Sequence, residues 1–186
     1  IIDELFFEFA YSIPMNQYNN LISFYVLPEN TGINNVMGDI LDNVILVAGE
    51  SSSAQYNQSF DYWTGSLMNL DISSGYWIHL ENADTLNGSS YPLNTGRIYD
   101  LNAGANLVSF PAPGSVGISD ALPDNIEDHV LAIIGAGYSA INTDEGWEGS
   151  LMNFEGLHGY WVLTDDDISF SYDLNTETLS RKSNPY

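Results

Sequence analysis

Cysteine is absent from the 186-residue chain, and lysine and arginine together number three. Without cysteine there is no disulfide framework, no thiolate nucleophile and no thiolate metal ligand. The shortage of cations excludes two classes of partner. Nucleic acid and anionic membrane surfaces are bound by Lys and Arg that displace counterions, and this chain has almost none to offer. Apolar runs are short as well, and none approaches the roughly 18 residues of a membrane span, so membrane insertion is not expected. Carboxylates are present at an ordinary level, 25 of 186 residues, so the formal net charge of −22 comes from missing cations rather than surplus acids. With 44% hydrophobic and 13% aromatic residues the chain can fill a core, which excludes a disordered tail.

A folded chain of this mass exposes on the order of 9,000 Å², or about one net negative charge per 400 Å² at a mean spacing near 20 Å. The Debye length is about 8 Å at physiological salt and about 30 Å in dilute buffer, so the repulsion is felt across the whole surface only when salt is low. The charge balance implies adaptation to salty surroundings, or a need for bound cations. Few cations, no cysteine and a polar surface built from Asn, Ser, Thr and Tyr read as extracellular or cell-surface and bacterial. Ile1-Ile2-Asp3-Glu4 lacks the basic start of an export signal, and the chain reads as a piece of a longer secreted polypeptide with neighbouring domains.

The chain repeats itself. Asn20-Leu-Ile-Ser-Phe24 recurs as Asn106-Leu-Val-Ser-Phe110, Asp42-Asn-Val44 as Asp128-His-Val130, and Gly49 as Gly135. Trp63-Thr-Gly-Ser-Leu-Met-Asn69 recurs as Trp147-Glu-Gly-Ser-Leu-Met-Asn153, and Gly75-Tyr-Trp77 as Gly159-Tyr-Trp161. The preserved order marks a tandem duplication. The expected organisation is a flanking segment (1–15), repeat one (16–95), repeat two (96–175) and a tail or linker (176–186). The echo of Tyr99-Asp-Leu-Asn102 in Tyr172-Asp-Leu-Asn175 suggests the start of a third copy or a linker.

Each repeat reads as β-α-β-β-β. Leu21–Leu27 is strand-prone and ends at Pro28, and Ile33, Val36, Met37, Ile40 and Leu41 form one stripe of a short helix. In repeat two Ile118, Ala121, Leu122 and Ile126 hold that stripe, shortened by Pro123. Val44–Ala48 and Val130–Ile134 are continuous apolar runs that predict strands buried on both faces. The polar stretches 50–59 and 135–146 read as loops or edge hairpins, followed by strands at Tyr76–Leu80 and Tyr160–Thr164 and a last strand near Thr85–Leu86 or Ile168–Tyr172. The fold class is mainly β, α+β with one short helix per repeat: two tandem, homologous, small barrel- or sandwich-like halves packed together, because one unit of about 80 residues is marginal alone.

Residues shared by the two copies are apolar, aromatic, glycine or small polar, the types of cores and turns. The histidines are not shared: His79 faces Leu163, His129 faces Asn43 and His158 faces Ser74. His79 is therefore expected in an apolar slot, and the other two at the surface. There is no His-x-His or His-Glu-x-x-His pair and no Gly-x-Ser-x-Gly elbow, so no catalytic residue is assigned. Asp165, Asp166 and Asp167 form a run of hard oxygen ligands that calcium would suit. Trp63, Trp147, Tyr56, Tyr62 and Tyr138 lie in or beside polar loops, with Asn69 and Asn153 nearby. A flat ring flanked by amides is how proteins hold sugars, so these are the candidate ligand-binding residues, although the same rings would serve as packing.

Asn-Leu-Ile-Ser-Phe, the short helix, Asp-Asn-Val-Ile-Leu-Val-Ala-Gly, Gly-Ser-Leu and Gly-Tyr-Trp together resemble repeats of large secreted proteins from marine and Bacteroidetes-type bacteria. The likeness spans residues 16–175 and implies a secreted, non-catalytic accessory role. The expected function is adhesion, or binding of polysaccharide or cell-surface glycan, within a larger protein. A structural spacer or surface-array subunit is the alternative, and a carboxylate-based glycan hydrolase comes third. One consequence of the charge is directly measurable: the melting temperature should rise between about 10 mM and 0.5 M NaCl, the range over which the Debye length falls below the charge spacing.

Overall fold

The computed structural model describes residues 8–90 and 94–174. Repeat one contains β1 (Phe9–Met15), β2 (Tyr18–Ser23), α1 (Ile33–Val36), a 3-10 turn at Gly38–Ile40, β3 (Val44–Ala48), β4 (Ser53–Asn57), β5 (Tyr62–Gly65), β6 (Gly75–Leu80) and β7 (Asp84–Ser90). Repeat two follows with β8 (Tyr99–Leu101), β9 (Gly104–Val108), β10 (Ser115–Gly117), α2 (Ile118–Ala121), α3 (Asp124–Glu127), β11 (Val130–Ile134), β12 (Ser139–Thr143), β13 (Gly146–Gly149), β14 (Asn153–Glu155), β15 (Tyr160–Thr164) and β16 (Ile168–Phe170). The two repeats share one topology. Each has a five-stranded antiparallel sheet, ordered β2-β6-β3-β4-β5 in one and β9-β15-β11-β12-β13 in the other. Each adds a two-stranded ladder, β1-β7 or β8-β16. The fold is mainly β, with antiparallel sheets packed together.

Each core lies between one face of its sheet, the ladder and the helical turns. In repeat one Tyr76, Ile78 and Leu80 alternate inward along β6 and meet Ile33, Val36, Met37 and Ile40 from the helical segment and Tyr11, Ile13 and Met15 from β1. Repeat two assembles Tyr160 and Val162, Ile118, Ala121 and Ile126, with Tyr99 and Leu101, in the same way. Residues 9–15, set apart above as flanking, thus supply β1, which pairs along its length with β7.

Several local expectations need correction. The helical stripe is a single α-helical turn followed by a 3-10 turn, and in repeat two Pro123 divides the segment into α2 and α3 rather than merely shortening it. The apolar runs β3 and β11 are not buried on both faces: Leu46 is 36% exposed, Leu131 46% and Ile134 40%. Only one face of each sheet is packed against helix and ladder, so alternate residues of the run face outward. Of the two readings of the stretches 50–59 and 135–146 the edge hairpin holds: they open the hairpins β4-β5 and β12-β13, which widen the sheets. Strand β2 stops at Ser23, well before Pro28, because its partner β6 begins at Gly75, directly opposite Ser23.

The retained polar residues hold turns and loops. Asn20 Nδ2 donates to the Asn16 carbonyl (2.8 Å) while its Oδ1 accepts the Asn16 N–H (2.8 Å), and Asn106 clamps Asn102 in the same two bonds (2.8 and 3.0 Å). The Tyr76 hydroxyl accepts the Asp71 N–H and that of Tyr160 accepts the Glu155 N–H. Gly65 and Gly149, at φ +129° and +146°, sit where an added Cβ would collide with the Ser53 or Ser139 carbonyl, and that carbonyl accepts the next two N–H groups of the Gly-Ser-Leu phrase.

The repeats meet through a pseudo-two-fold junction of their edge strands. The Ser23 N–H donates to the Leu157 carbonyl at 3.0 Å, and reciprocally the Ser109 N–H donates to the Ser73 carbonyl at 2.9 Å. Bridges Ile22–His158 and Val108–Ser74 repeat the correspondence. Ser23 Oγ donates to the His158 carbonyl (2.6 Å) and Ser109 Oγ to the Ile72 carbonyl (2.7 Å). Gly75 and Gly159 permit the approach: a Cβ on Gly75 would lie 2.9 Å from Leu107 Cδ1, and one on Gly159 would lie 2.7 Å from the Ile22 carbonyl oxygen.

Within the cores the symmetry breaks at an aromatic position. Tyr11 packs edge-on against Phe24 (5.3 Å between ring centres) above Gly88, its strand partner, whose Cβ would strike the ring. In repeat two Tyr172 aligns with Gly88 and packs edge-on against Phe110 (5.2 Å), while Arg97 aligns with Tyr11. The core ring therefore comes from the opposite segment, and the vacated position carries a guanidinium directed into the junction. Arg97 is 5% exposed, the only Lys or Arg among the described residues, and donates to the carbonyls of Ile72 (2.6 Å) and Tyr25 (3.2 Å) in repeat one. Tyr99 Oη and Ser109 Oγ also accept from it, at 3.4 and 3.3 Å.

The glycine contacts generate an ordered prediction. Gly159→Ala should lower stability by about 2–3 kcal/mol in chemical denaturation, and Gly75→Ala by about 1–2 kcal/mol, since the added Cβ would stand 2.7 Å from the Ile22 carbonyl oxygen at Gly159 but 3.0 Å from the Val108 carbonyl oxygen at Gly75.

Candidate functional site

The candidates named from sequence are dispersed. Tyr56 is buried and packs on half-buried Trp63 (5.0 Å between ring centres), with its hydroxyl bonded to Asp61. Trp147 packs on the second core and its Nε1 donates to Glu127 Oε1 at 2.5 Å. Trp63 Nε1 has no such partner among the described residues, and Leu41 stands where Glu127 would be. Tyr62 is 47% exposed beside Phe60 on the β4-β5 hairpin. Asn69 and Asn153 are exposed and pair through the backbone with Gly32 and Gly117. Asp165 bonds His129 Nδ1 at 2.9 Å, Asp166 accepts the Asp167 N–H at 2.8 Å, and Asp167 accepts the Ala103 N–H at 2.8 Å. Among the described residues no three His, Cys, Asp or Glu side chains are grouped to hold a metal ion.

Tyr138 is different, because it lines a cleft of about 840 Å³ between the repeats. Repeat one contributes Ser12 to Asn16 and Asn19 to Ile22, and repeat two contributes Pro113 to Ser115, Ala136, Tyr138 and Glu155 to His158. Its position follows from the junction. Ser23 and Ile22 bind residues 157 and 158, which draws the edge of β2 against the loop before β15 and leaves a groove alongside. The Tyr138 ring lies over Gly135, where a Cβ would collide with it, and the Gly135 N–H donates to the Tyr138 carbonyl at 2.9 Å. Burial, with the Glu155 charge adding to it, raises the Tyr138 phenol pKa, so the hydroxyl stays a donor at neutral pH. His158 Nδ1 lies 3.1 Å from the Gly156 carbonyl and 4.0 Å from Glu155 Oε2. Asn19 Oδ1 is 2.7 Å from His79 Nδ1. His79 is thus on the outer face of β6 with an amide partner, not in the apolar slot expected for it.

The pseudo-two-fold axis gives this cleft a counterpart that is built differently. Ala136 aligns with Glu50, Tyr138 with Ser52 and Gly156 with Ile72. There Glu50 Oε2 accepts the Leu107 N–H at 2.8 Å and Arg97 donates to the Ile72 carbonyl. Where repeat one carries Glu50 and Ser52, the cleft has the methyl of Ala136 and the ring of Tyr138. Among the described residues Glu155 is the only carboxylate lining it, and neither Lys nor Arg does so. The arrangement can accept an uncharged polyol, with the ring taking an apolar face and amides, hydroxyls, imidazole and carboxylate taking hydroxyl groups.

Comparison of the chain with protein-family models, with curated proteins and with solved structures found no match.

Of the cleft residues only Tyr138 was selected by sequence reasoning. His158 was assigned to the surface with no ligand role, and Asn16, Asn19, Ser115 and Glu155 carry no motif that separates them from ordinary turn and loop residues. The informative signal was disagreement between the copies, at Ala136 against Glu50 and Tyr138 against Ser52.

His129 supplies a pH-dependent contact on the opposite strand ends. Its hydrogen bond to Asp165 raises the imidazole pKa above the ordinary 6.5, with the charges of Asp165, Asp166 and Asp128 acting in the same direction. A raised folded-state pKa stabilises the fold fully below pH 6.5, and the stabilisation is lost as pH rises through the folded value. In an NMR titration the His129 midpoint should lie above that of Asp165→Asn, and the stability difference between the two proteins should shrink from pH 6 to pH 8.

Proposed function

We propose that the protein is a non-catalytic extracellular module that binds an uncharged polysaccharide or cell-surface glycan in the cleft between its repeats. The observation that carries this reading is the pairing of the Tyr138 ring with Asn16, Asn19, Ser115, Glu155 and His158 around one groove of ligand size. Among the described residues no Lys or Arg lines the cleft, which favours neutral over anionic sugars, since the chain's own negative field would repel the latter. Extracellular placement is supported by the cysteine-free, cation-poor composition.

A second reading, a structural spacer, is favoured by the use of the shared residues in turns, cores and the junction. One experiment separates the two. Screened on an array of uncharged oligosaccharides, the unaltered protein should bind and Tyr138→Ala should bind about tenfold more weakly, the equivalent of about 1.4 kcal/mol. Ala136→Glu, which places a carboxylate opposite Leu21 as Glu50 stands opposite Leu107, should abolish binding with no fall in melting temperature. Absence of glycan binding by the unaltered protein, or equal binding by Ala136→Glu, favours the spacer.

A further inference from the structure

Tyr18 stands in a backbone conformation that its counterpart reaches without strain. It has φ +74°, and the aligned residue of repeat two is Gly104 at φ +113°. The turns around them are clamped alike by Asn20 and Asn106, so the turn itself demands the left-handed region. Core packing does not account for a tyrosine there, because the side chain is 59% exposed. Its ring centre lies 5.9 Å from that of His79, tilted by 39°. His79 Nδ1 is 2.7 Å from Asn19 Oδ1, and Asn19 lines the cleft. At the three corresponding positions repeat two has Gly104, Leu163 and Ala105. The cluster is therefore specific to the repeat whose edge strand borders the cleft, and it continues the line of polar groups outward from Asn19.

We infer that Tyr18 and His79 form an outer stacking subsite continuous with the cleft, so that the ligand is an oligosaccharide chain whose successive units contact Tyr138 within the groove and Tyr18 outside it. The inference rests on the glycan-binding reading and adds the length of the ligand. An exposed ring held by a strained turn beside an amide presents a fixed flat face to a sugar, at little further entropic cost on binding.

The test uses β-1,4-linked gluco- and manno-oligosaccharides of two and six units, titrated calorimetrically into the full chain and into Tyr18→Gly, Tyr18→Phe and Tyr138→Ala. Tyr18→Gly should melt no lower than the unaltered protein and bind the six-unit chain about tenfold more weakly, with two-unit affinity unchanged. Tyr18→Phe should retain the preference for length, and Tyr138→Ala should weaken both. Unchanged length dependence in Tyr18→Gly while Tyr138→Ala is impaired overturns the outer subsite and leaves the cleft reading standing. So does a Tyr18→Gly protein that melts several degrees lower with its length preference intact, which would make the ring a brace. Failure of either length to bind the unaltered protein overturns subsite and cleft reading together.

Discussion

The reciprocal backbone bonds from Ser23 to Leu157 and from Ser109 to Ser73 are the constraint from which the rest of the molecule follows. Each five-stranded sheet ends in an edge strand, β2 or β9, with backbone groups that need partners. The junction supplies them from the loop before β15 or β6, so each repeat covers the exposed end of the other. Gly75 and Gly159 are required by the closeness of that approach. Two units, each too small to be comfortably stable alone, thereby share one buried seam.

The duplication, the mainly β class, the positions of β6 and β15 and the disruptive effect of Pro123 were all legible in the sequence, because each rests on a local pattern: phrase repetition, alternation, or a missing N–H. The outer faces of β3 and β11 were not. A run such as Val44–Ala48 looks the same whether one face or two are covered, and only the placement of helix and ladder decides. The slot expected for His79 failed for a related reason. Leu163 opposite it in the alignment suggested apolar surroundings, yet both positions lie on outward-facing strand surface where either residue is tolerated. Hairpins β4-β5 and β12-β13 were legible only as one of two readings, loop or edge hairpin, since edge strands with a solvated face carry few apolar residues.

The candidate site was the least legible part. Repetition directs the eye to what two copies share, and here those residues are used in clamps, packed rings and the seam. The cleft arises from differences. Ala136 in place of Glu50 and Tyr138 in place of Ser52 leave on one side a groove whose symmetry mate carries Arg97 and Glu50. The exchange of core tyrosines is coupled to this. Once Tyr172 supplies the ring over Phe110, the position aligned with Tyr11 is released from the core, and Arg97 there reaches the carbonyls of Ile72 and Tyr25. A substitution in the packing of one half thus determines which side of the seam is closed by charge.

The seam also limits how the chain can grow. A two-fold contact is self-satisfying: each half presents the same surface and consumes the other's, so the pair is a closed set rather than a step in a ladder. Any additional copies in a longer polypeptide could not stack onto this pair through that surface and would need to couple among themselves. Such an array would count in twos, with one open groove per couple along its length.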